Sequence, residues 1–204
     1  MNIGILDYDM ANLRSVQKAF EQVGAGAMII STADQIKAVD KLVLPGVGAF
    51  ADAVSTLRSR NLVDAIALHV KSGKPLLGIC LGLQILFETG YEDGVHQGLG
   101  ILKGNCIRFD VDQTKQLKVP HIGWNQLRFK TKSPLFAGLT EFSDVYFVHS
   151  YHVVPDDENI IASTTDYGGE FVSSIRKDNL MAVQFHPEKS QAVGLRMLAN
   201  FAAI

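Results

Sequence analysis

Cysteine is scarce. Two thiols, Cys80 and Cys106, in a chain of 204 residues are too few to staple it, so disulfides are not expected to hold the fold and a reducing compartment is the simplest setting. An excess of one charge is missing too. The 19 Lys and Arg against 21 Asp and Glu leave a formal charge of −2, without the basic surplus that a phosphate backbone requires, so nucleic acid is not expected as a partner. Long apolar runs are absent: the longest, Pro75 to Phe87, is too short for a bilayer and holds Gln84, and no membrane association is expected. The opening MNIGILDYDM has no positive lead into an apolar run, which argues against a secretory leader and for the cytoplasm. Repeats, low-complexity segments and long linkers are also lacking, so residues 1–204 are expected to form one domain.

What is present is alternation. Ile3, Ile5 and Leu6 suggest a strand, and Leu13, Val16, Phe20 and Val23 recur at helical spacing until Gly24 and Gly26. AMII (27–30), KLVL (41–44), a helical stretch from Phe50 to Val70, PLLGI (75–79) and a helix from Leu81 follow. Strand and helix in turn imply a parallel sheet with helices on both faces. After Gly90 the chain becomes strand-rich, with CIRF (106–109), DVYFVHSY (144–151), NIIASTT (159–165), EFVSSIR (170–176) and LMAVQF (180–185) separated by turns such as Tyr167-Gly168-Gly169. A last helix begins near Ser190 and carries Leu195, Leu198 and Phe201 toward the core. The expected class is α/β: one three-layer domain, a mostly parallel central sheet flanked by helices, and hairpin additions in the second half.

The corner at Gly78-Ile79-Cys80-Leu81-Gly82 carries the chemistry. A strand turning tightly into a helix lifts a nucleophile clear of the sheet, and bare positions two residues to either side give it room. A helix N-terminus at Leu81 favours a thiolate there. A lone cysteine would read as core packing, and Cys106, without this context, does. A thiolate nucleophile also needs a base and a group to orient that base. His186 and Glu188, two apart after the strand LMAVQF, point to one side in extended chain and supply both.

The attack creates an oxyanion. Leu81 N–H is one expected donor and Val47 N–H, in the turn Leu44-Pro45-Gly46-Val47-Gly48, the second. Gly46-x-Gly48-x-x-Ala51 also fits a dinucleotide fingerprint, but it follows the third strand and no acidic residue ends a strand about 20 residues on. His149 and His152 lie three apart and are expected on opposite sides of a strand, which disfavours a shared metal. Neither metal nor cofactor is expected. The lone Trp124, in a Pro/Gly-containing loop, reads either as a core anchor or as a surface contact.

GICLG (78–82), FHPEKS (185–190) and LPGVG (44–48) resemble the class I, triad-type glutamine amidotransferases over almost the whole chain. DYDMANLRSV (7–16), PHIGWN (120–125) and YFVHSY (146–151) are similar, in that order, to the glutaminase subunits of imidazole glycerol phosphate synthase; PHIGWN discriminates, because the elbow and FHPE occur across many amidotransferases. The resemblance implies a flavodoxin-like fold and hydrolysis of L-glutamine, with Cys80 as nucleophile, His186 as proton shuttle and Glu188 orienting it. It implies that Gly46, Gln84, His149, Ser150 and Tyr151 hold glutamine. It also implies a heterodimer with a cyclase subunit, a (β/α)8 barrel that turns the ammonia into imidazole glycerol phosphate and AICAR in histidine biosynthesis. Asn12, Pro120, His121, Trp124, Asn125 and Lys189 are the implied interface residues. The N-terminal loop of such subunits has glycines where this chain has Asp9 and Ala11; if positive φ is needed there, Asp tolerates it better than Ala. The alternatives are a triad amidotransferase of another pathway, a cysteine peptidase of related fold, or a non-catalytic regulatory subunit.

Overall fold

In a computed structural model, which describes residues 1–110 and 117–204, the alternation of the first half becomes a set of parallel strands connected by helices. Along the chain these are β1 (Ile3–Leu6), α1 (Leu13–Gln22), β2 (Ala27–Ile30), α2 (Ala33–Ala38), β3 (Lys41–Gly46), α3 (Phe50–Ser59), α4 (Val63–Lys71), β4 (Leu76–Cys80) and α5 (Leu81–Gln84). The second half adds β5 (Phe87–Gly90), β6 (His96–Gln97), β7 (Leu102–Arg108), β8 (His121–Gln126), β9 (Arg128–Phe129), β10 (Asp144–His149) and β11 (Tyr151–Pro155). It closes with β12 (Ile161–Asp166), β13 (Glu170–Lys177), β14 (Leu180–Val183) and α6 (Gln191–Ala203).

The sheet runs β2-β1-β3-β4-β14-β13-β11-β7-β5-β6, with β12 on β13 and β9 on β12. Its first five strands are parallel. Strands β13, β11 and β7 continue it antiparallel. A separate ribbon pairs β8 with β10.

Side chains alternate across a strand, so every parallel strand serves two cores. Ile3, Ile5, Val43, Leu77, Ile79, Met181 and Val183 pack on Val16 and Phe20 of α1 and on Met197, Leu198 and Phe201 of α6. Leu6, Leu42, Leu44, Leu76, Leu180 and Ala182 face the other way, onto Ile36 of α2, Val54 and Leu57 of α3, and Ile66 of α4. Two apolar faces covered by helices make the three-layer α/β arrangement that the sequence implies.

Several elements differ from expectation. The stretch from Phe50 to Val70 is two helices, broken where Asn61 takes φ +54°. Helix α2 was not read from the sequence, although Thr32 and Gln35 form a capping box at its start. The helix after Cys80 ends at Gln84: Ile85, Leu86 and Phe87 are all fully buried, which a helix with one solvent face cannot achieve, and Phe87 instead pairs with Leu102. PHIGWN is, from His121 onward, a strand of the β8–β10 ribbon, with Trp124 opposite Tyr146. DVYFVHSY breaks at Ser150. Because of that break His149 and His152 are not on opposite sides: both rings pack against Phe109, at 5.0 and 4.8 Å.

Candidate active site

Strand register brings the site together. Gly46, the last residue of β3, is level with Cys80, the last of β4. On the other side of β4, Val183 of β14 pairs with Ile79. The chain leaving β14 therefore carries Gln184 and His186 past the sulfur.

Cys80 has φ +55° and ψ −111°, a conformation that costs a non-glycine residue about 1–3 kcal/mol. Its neighbours show why the corner needs glycine. A Cβ on Gly82 would run into the Leu44 carbonyl, and one on Gly78 would sit 2.9 Å from the Ala182 side chain. The strain is spent on direction: Cys80 lies on the wall of a cleft of about 350 Å³, a volume at the small end for ligand sites and suited to one amino acid.

His186 lines the same cleft. Its Nδ1 lies 2.7 Å from Glu188 Oε1, with both side chains almost completely buried. A carboxylate only accepts, so Nδ1 carries the proton and Nε2, which has no hydrogen-bond partner among the described residues, is left for proton exchange. Burial works against charging the ring, but Cys80 and Glu188 outweigh it and carry the His186 pKa up to about 10. The set can therefore hold a charged imidazolium beside a sulfur nucleophile.

Of the residues expected to hold glutamine, Gln84, His149, Ser150 and Tyr151 line the cleft, whereas Gly46 is buried behind it, level with Cys80 in the neighbouring strand, and Val47 and Gly48 border the cleft in its place. Leu81, first in α5, has an N–H that no intrahelical bond can use. Val47 differs from its expected role. It borders the cleft, but its N–H donates to the Met10 carbonyl at 2.7 Å, so in this state it gives nothing to an oxyanion. The Met10 loop itself contains Asp9 at φ +70°, while Ala11 has no positive φ. Asp9 also pairs with Arg60 at 3.0 Å.

The interface candidates separate by strand alternation. Ile122 and Trp124 of β8 point outward, 59% and 49% exposed. Asn12, Pro120 and Lys189 are exposed, and Lys189 Nζ lies 5.9 Å above the Tyr146 ring. His121 is buried, contrary to expectation, because it occupies the inward phase of β8. Half-buried Asn125 shares that phase and donates to the Asp166 carbonyl.

Sequence reading missed three residues here. Glu92 lines the cleft and accepts the Phe50 N–H at 2.6 Å, capping α3 from 42 residues away. Tyr8 is fully buried, its hydroxyl over Gly46 and without a hydrogen-bond partner among the described residues; burial and Cys80 push its pKa well up. Gln184, the one polar residue in LMAVQF, lies beside Cys80. A lone amide in an apolar strand was the available signal.

The buried histidines form a chain. His149 Nδ1 donates to the Tyr151 carbonyl at 2.8 Å, which leaves Nε2 to accept from His121 Nδ1 at 3.1 Å. Burial pushes His149 down to about 3, His121 aiding and the Tyr151 carbonyl opposing, and burial pushes His121 down to about 4. Both are neutral in the fold and gain protons on unfolding below about pH 6.5. Stability is therefore expected to fall with acidification from about pH 6.5 toward 4, by about 1.4 kcal/mol per unit for each ring. His186, raised, has the opposite sign: its contribution is complete below about pH 6.5 and is lost toward pH 10. Urea midpoints measured near pH 5, 7 and 9 should peak in the middle; a midpoint near pH 5 as high as that near pH 7 would contradict the neutral pair.

A family model described as glutamine amidotransferase class-I matches residues 5–204. A protein of Syntrophotalea carbinolica named imidazole glycerol phosphate synthase subunit HisH is 54% identical over 202 residues, 98% of each chain. One of Aquifex aeolicus with the same name is 55% identical over 202 residues, 98% of this chain and 96% of that one. Among solved structures, PurLQS from Thermotoga maritima aligns with TM-score 0.78 at 18% identity, over 99% of this chain and 97% of the other. A structure described as a glutamine amidotransferase aligns with TM-score 0.76 at 19% identity, over 99% of both. These structural likenesses concern the fold, and the match of sequence over 5–204 settles descent: the chain belongs to the class-I glutamine amidotransferases.

Proposed function

We propose that this chain is the glutaminase subunit of imidazole glycerol phosphate synthase, working as one domain over residues 1–204 and supplying ammonia to a cyclase subunit. The single observation that carries the chemistry is the His186–Glu188 pair, 2.7 Å apart, whose His186 lines the cleft that also holds the strained Cys80.

The Cys80 thiolate attacks the side-chain amide carbon of L-glutamine. The carbonyl electron pair moves to oxygen, where Leu81 N–H can receive it. As that pair returns, the C–N bond breaks and His186 gives its proton to the departing nitrogen, releasing ammonia and leaving a thioester on Cys80. Neutral His186 then takes a proton from water, the hydroxide adds to the thioester, and the second collapse expels the thiolate and frees glutamate. Glu188 holds the ring in one tautomer throughout. Gln84, with His149, Ser150 and Tyr151, contacts the substrate.

No helix of the described residues is long and apolar enough to cross a membrane, and we place the enzyme in the cytoplasm. The partner we infer is a (β/α)8 barrel docking on the exposed face of β8, with Lys189, Pro120 and Asn12 at the margin. The ammonia would there form imidazole glycerol phosphate and AICAR.

The test is glutamate release by the chain alone and with the cyclase plus its nucleotide ligand. Since Val47 N–H is tied to Met10, one oxyanion donor is missing from the resting state, a deficit of about 10²–10³ in rate. Slow release alone with stimulation of that order is expected. Fast release unchanged by the cyclase would remove the pathway assignment, and none in either state would point to a non-catalytic subunit.

A further inference from the structure

Gln184 has no place in the triad, yet it touches the reacting atom. It is completely buried, the residue directly after β14, whose side chains are all apolar. A buried carboxamide is tolerated only where its polar atoms are bonded. Gln184 Nε2 lies 3.7 Å from Cys80 Sγ, and its Oε1 lies 3.1 Å from Gln84 Nε2.

The orientation of this amide follows from its neighbours. Gln84 places its other contact, at 3.1 Å, on the Tyr151 carbonyl. A carbonyl can only accept, so the Gln84 group there is the NH2. That NH2 also faces Gln184, which must answer with its oxygen. The Gln184 NH2 is thereby turned to the sulfur.

Helix α5 has four residues, so little dipole builds up behind Cys80, and charge on the sulfur has to be met by individual donors. An N–H aimed at sulfur favours the charged form over the thiol. It serves twice in the cycle: before the S–C bond forms, and again when that bond breaks and the electron pair returns to sulfur.

We propose that Gln184 is a catalytic residue of the glutaminase reaction, whose amide N–H, aimed by Gln84, holds Cys80 as the thiolate and receives it again on deacylation. The proposal rests on the glutaminase reading above. Among the described residues, the other titratable groups that sense the charge of Cys80 are His186, Tyr8 from the loop after β1 and, from β7, Cys106; Glu92 and His149 stand on the cleft wall. All remain when Gln184 alone is changed.

The experiment is alkylation of Cys80 by iodoacetamide in the full chain across pH, with Cys80→Ser as blank for the buried Cys106. Gln184→Met keeps the length and removes the donor. We expect its rate near pH 7 to fall about tenfold, with the half-maximal rate moved up by about one pH unit, the high-pH plateau kept, and the acyl-enzyme longer-lived with glutamine. Should the methionine variant fail to fold, Gln184→Glu, which preserves shape and sets a carboxyl against the sulfur, is expected to move the half-maximal rate at least as far. A profile superimposable on the parent's, or an equal loss at every pH including the plateau, overturns the proposal and leaves Gln184 as packing. The alkylation readout needs no glutamine turnover, so a parent chain that released no glutamate would defeat the glutaminase reading without deciding this test.

Discussion

Cys80→Ala is expected to lower glutamate release by about 10⁴-fold or more, because removing the nucleophile removes the whole covalent route and leaves binding and oxyanion contacts alone. The variant keeps its Cβ and backbone conformation, so its circular dichroism and its binding to the cyclase should match the parent's. Residual release within about tenfold of the parent would refute the assignment of Cys80. The backbone adds a second expectation. At φ +55° a Cβ is strained, and glycine is not. Cys80→Gly should therefore be as stable as Cys80→Ala or more so, reversing the usual order in which glycine is worse by about 0.5–1 kcal/mol. Thermal unfolding of the two inactive variants decides this; an alanine variant clearly the more stable would mean that the corner holds no strain.

Glu188→Gln is expected to have the next largest effect. The substitution preserves shape but puts an amide against His186 Nδ1, 2.7 Å away in a buried pair. An amide nitrogen there would oppose the ring N–H and favour the wrong tautomer, while an amide oxygen gives up the charge that stabilises the imidazolium. Loss of that orientation costs about 10⁴ in a comparable serine triad, and a kcat decrease of about 10²–10⁴ with little change in KM is expected here. With the carboxylate gone, burial is no longer offset to the same degree, and the His186 proton should be lost at lower pH. Imidazole titration by NMR would show it. A variant with parental kcat would place Glu188 in a purely structural role.

The residues differ in how openly the sequence announced them. The elbow was legible because its signals are local: an apolar run, glycines two places to each side of Cys80, then a helix start. His186 and Glu188 were legible because two residues apart in extended chain share a side. Trp124 was ambiguous, since one tryptophan near glycine and proline gives no phase; pairing with Tyr146 set it outward. That same phase buried His121, which the motif alone had placed at the interface. The length of α5 also escaped, because Ile85 to Phe87 suit a helix or a strand equally until Leu102 is there to pair with.

By itself, then, the sequence determined the α/β class with helices on both faces of a parallel sheet, and it singled out Cys80, His186 and Glu188 as the nucleophile, base and orienting carboxylate that we propose, all from spacing within a few residues. Only the tertiary structure decided which groups meet across the sheet. Gln184 reaches Cys80 over 104 residues through the register of β14 on β4. Val47 turns its N–H to Met10 from a loop 37 positions away. Periodicity states which face a side chain takes, and contact between distant strands is settled by pairing and burial, which no local pattern encodes.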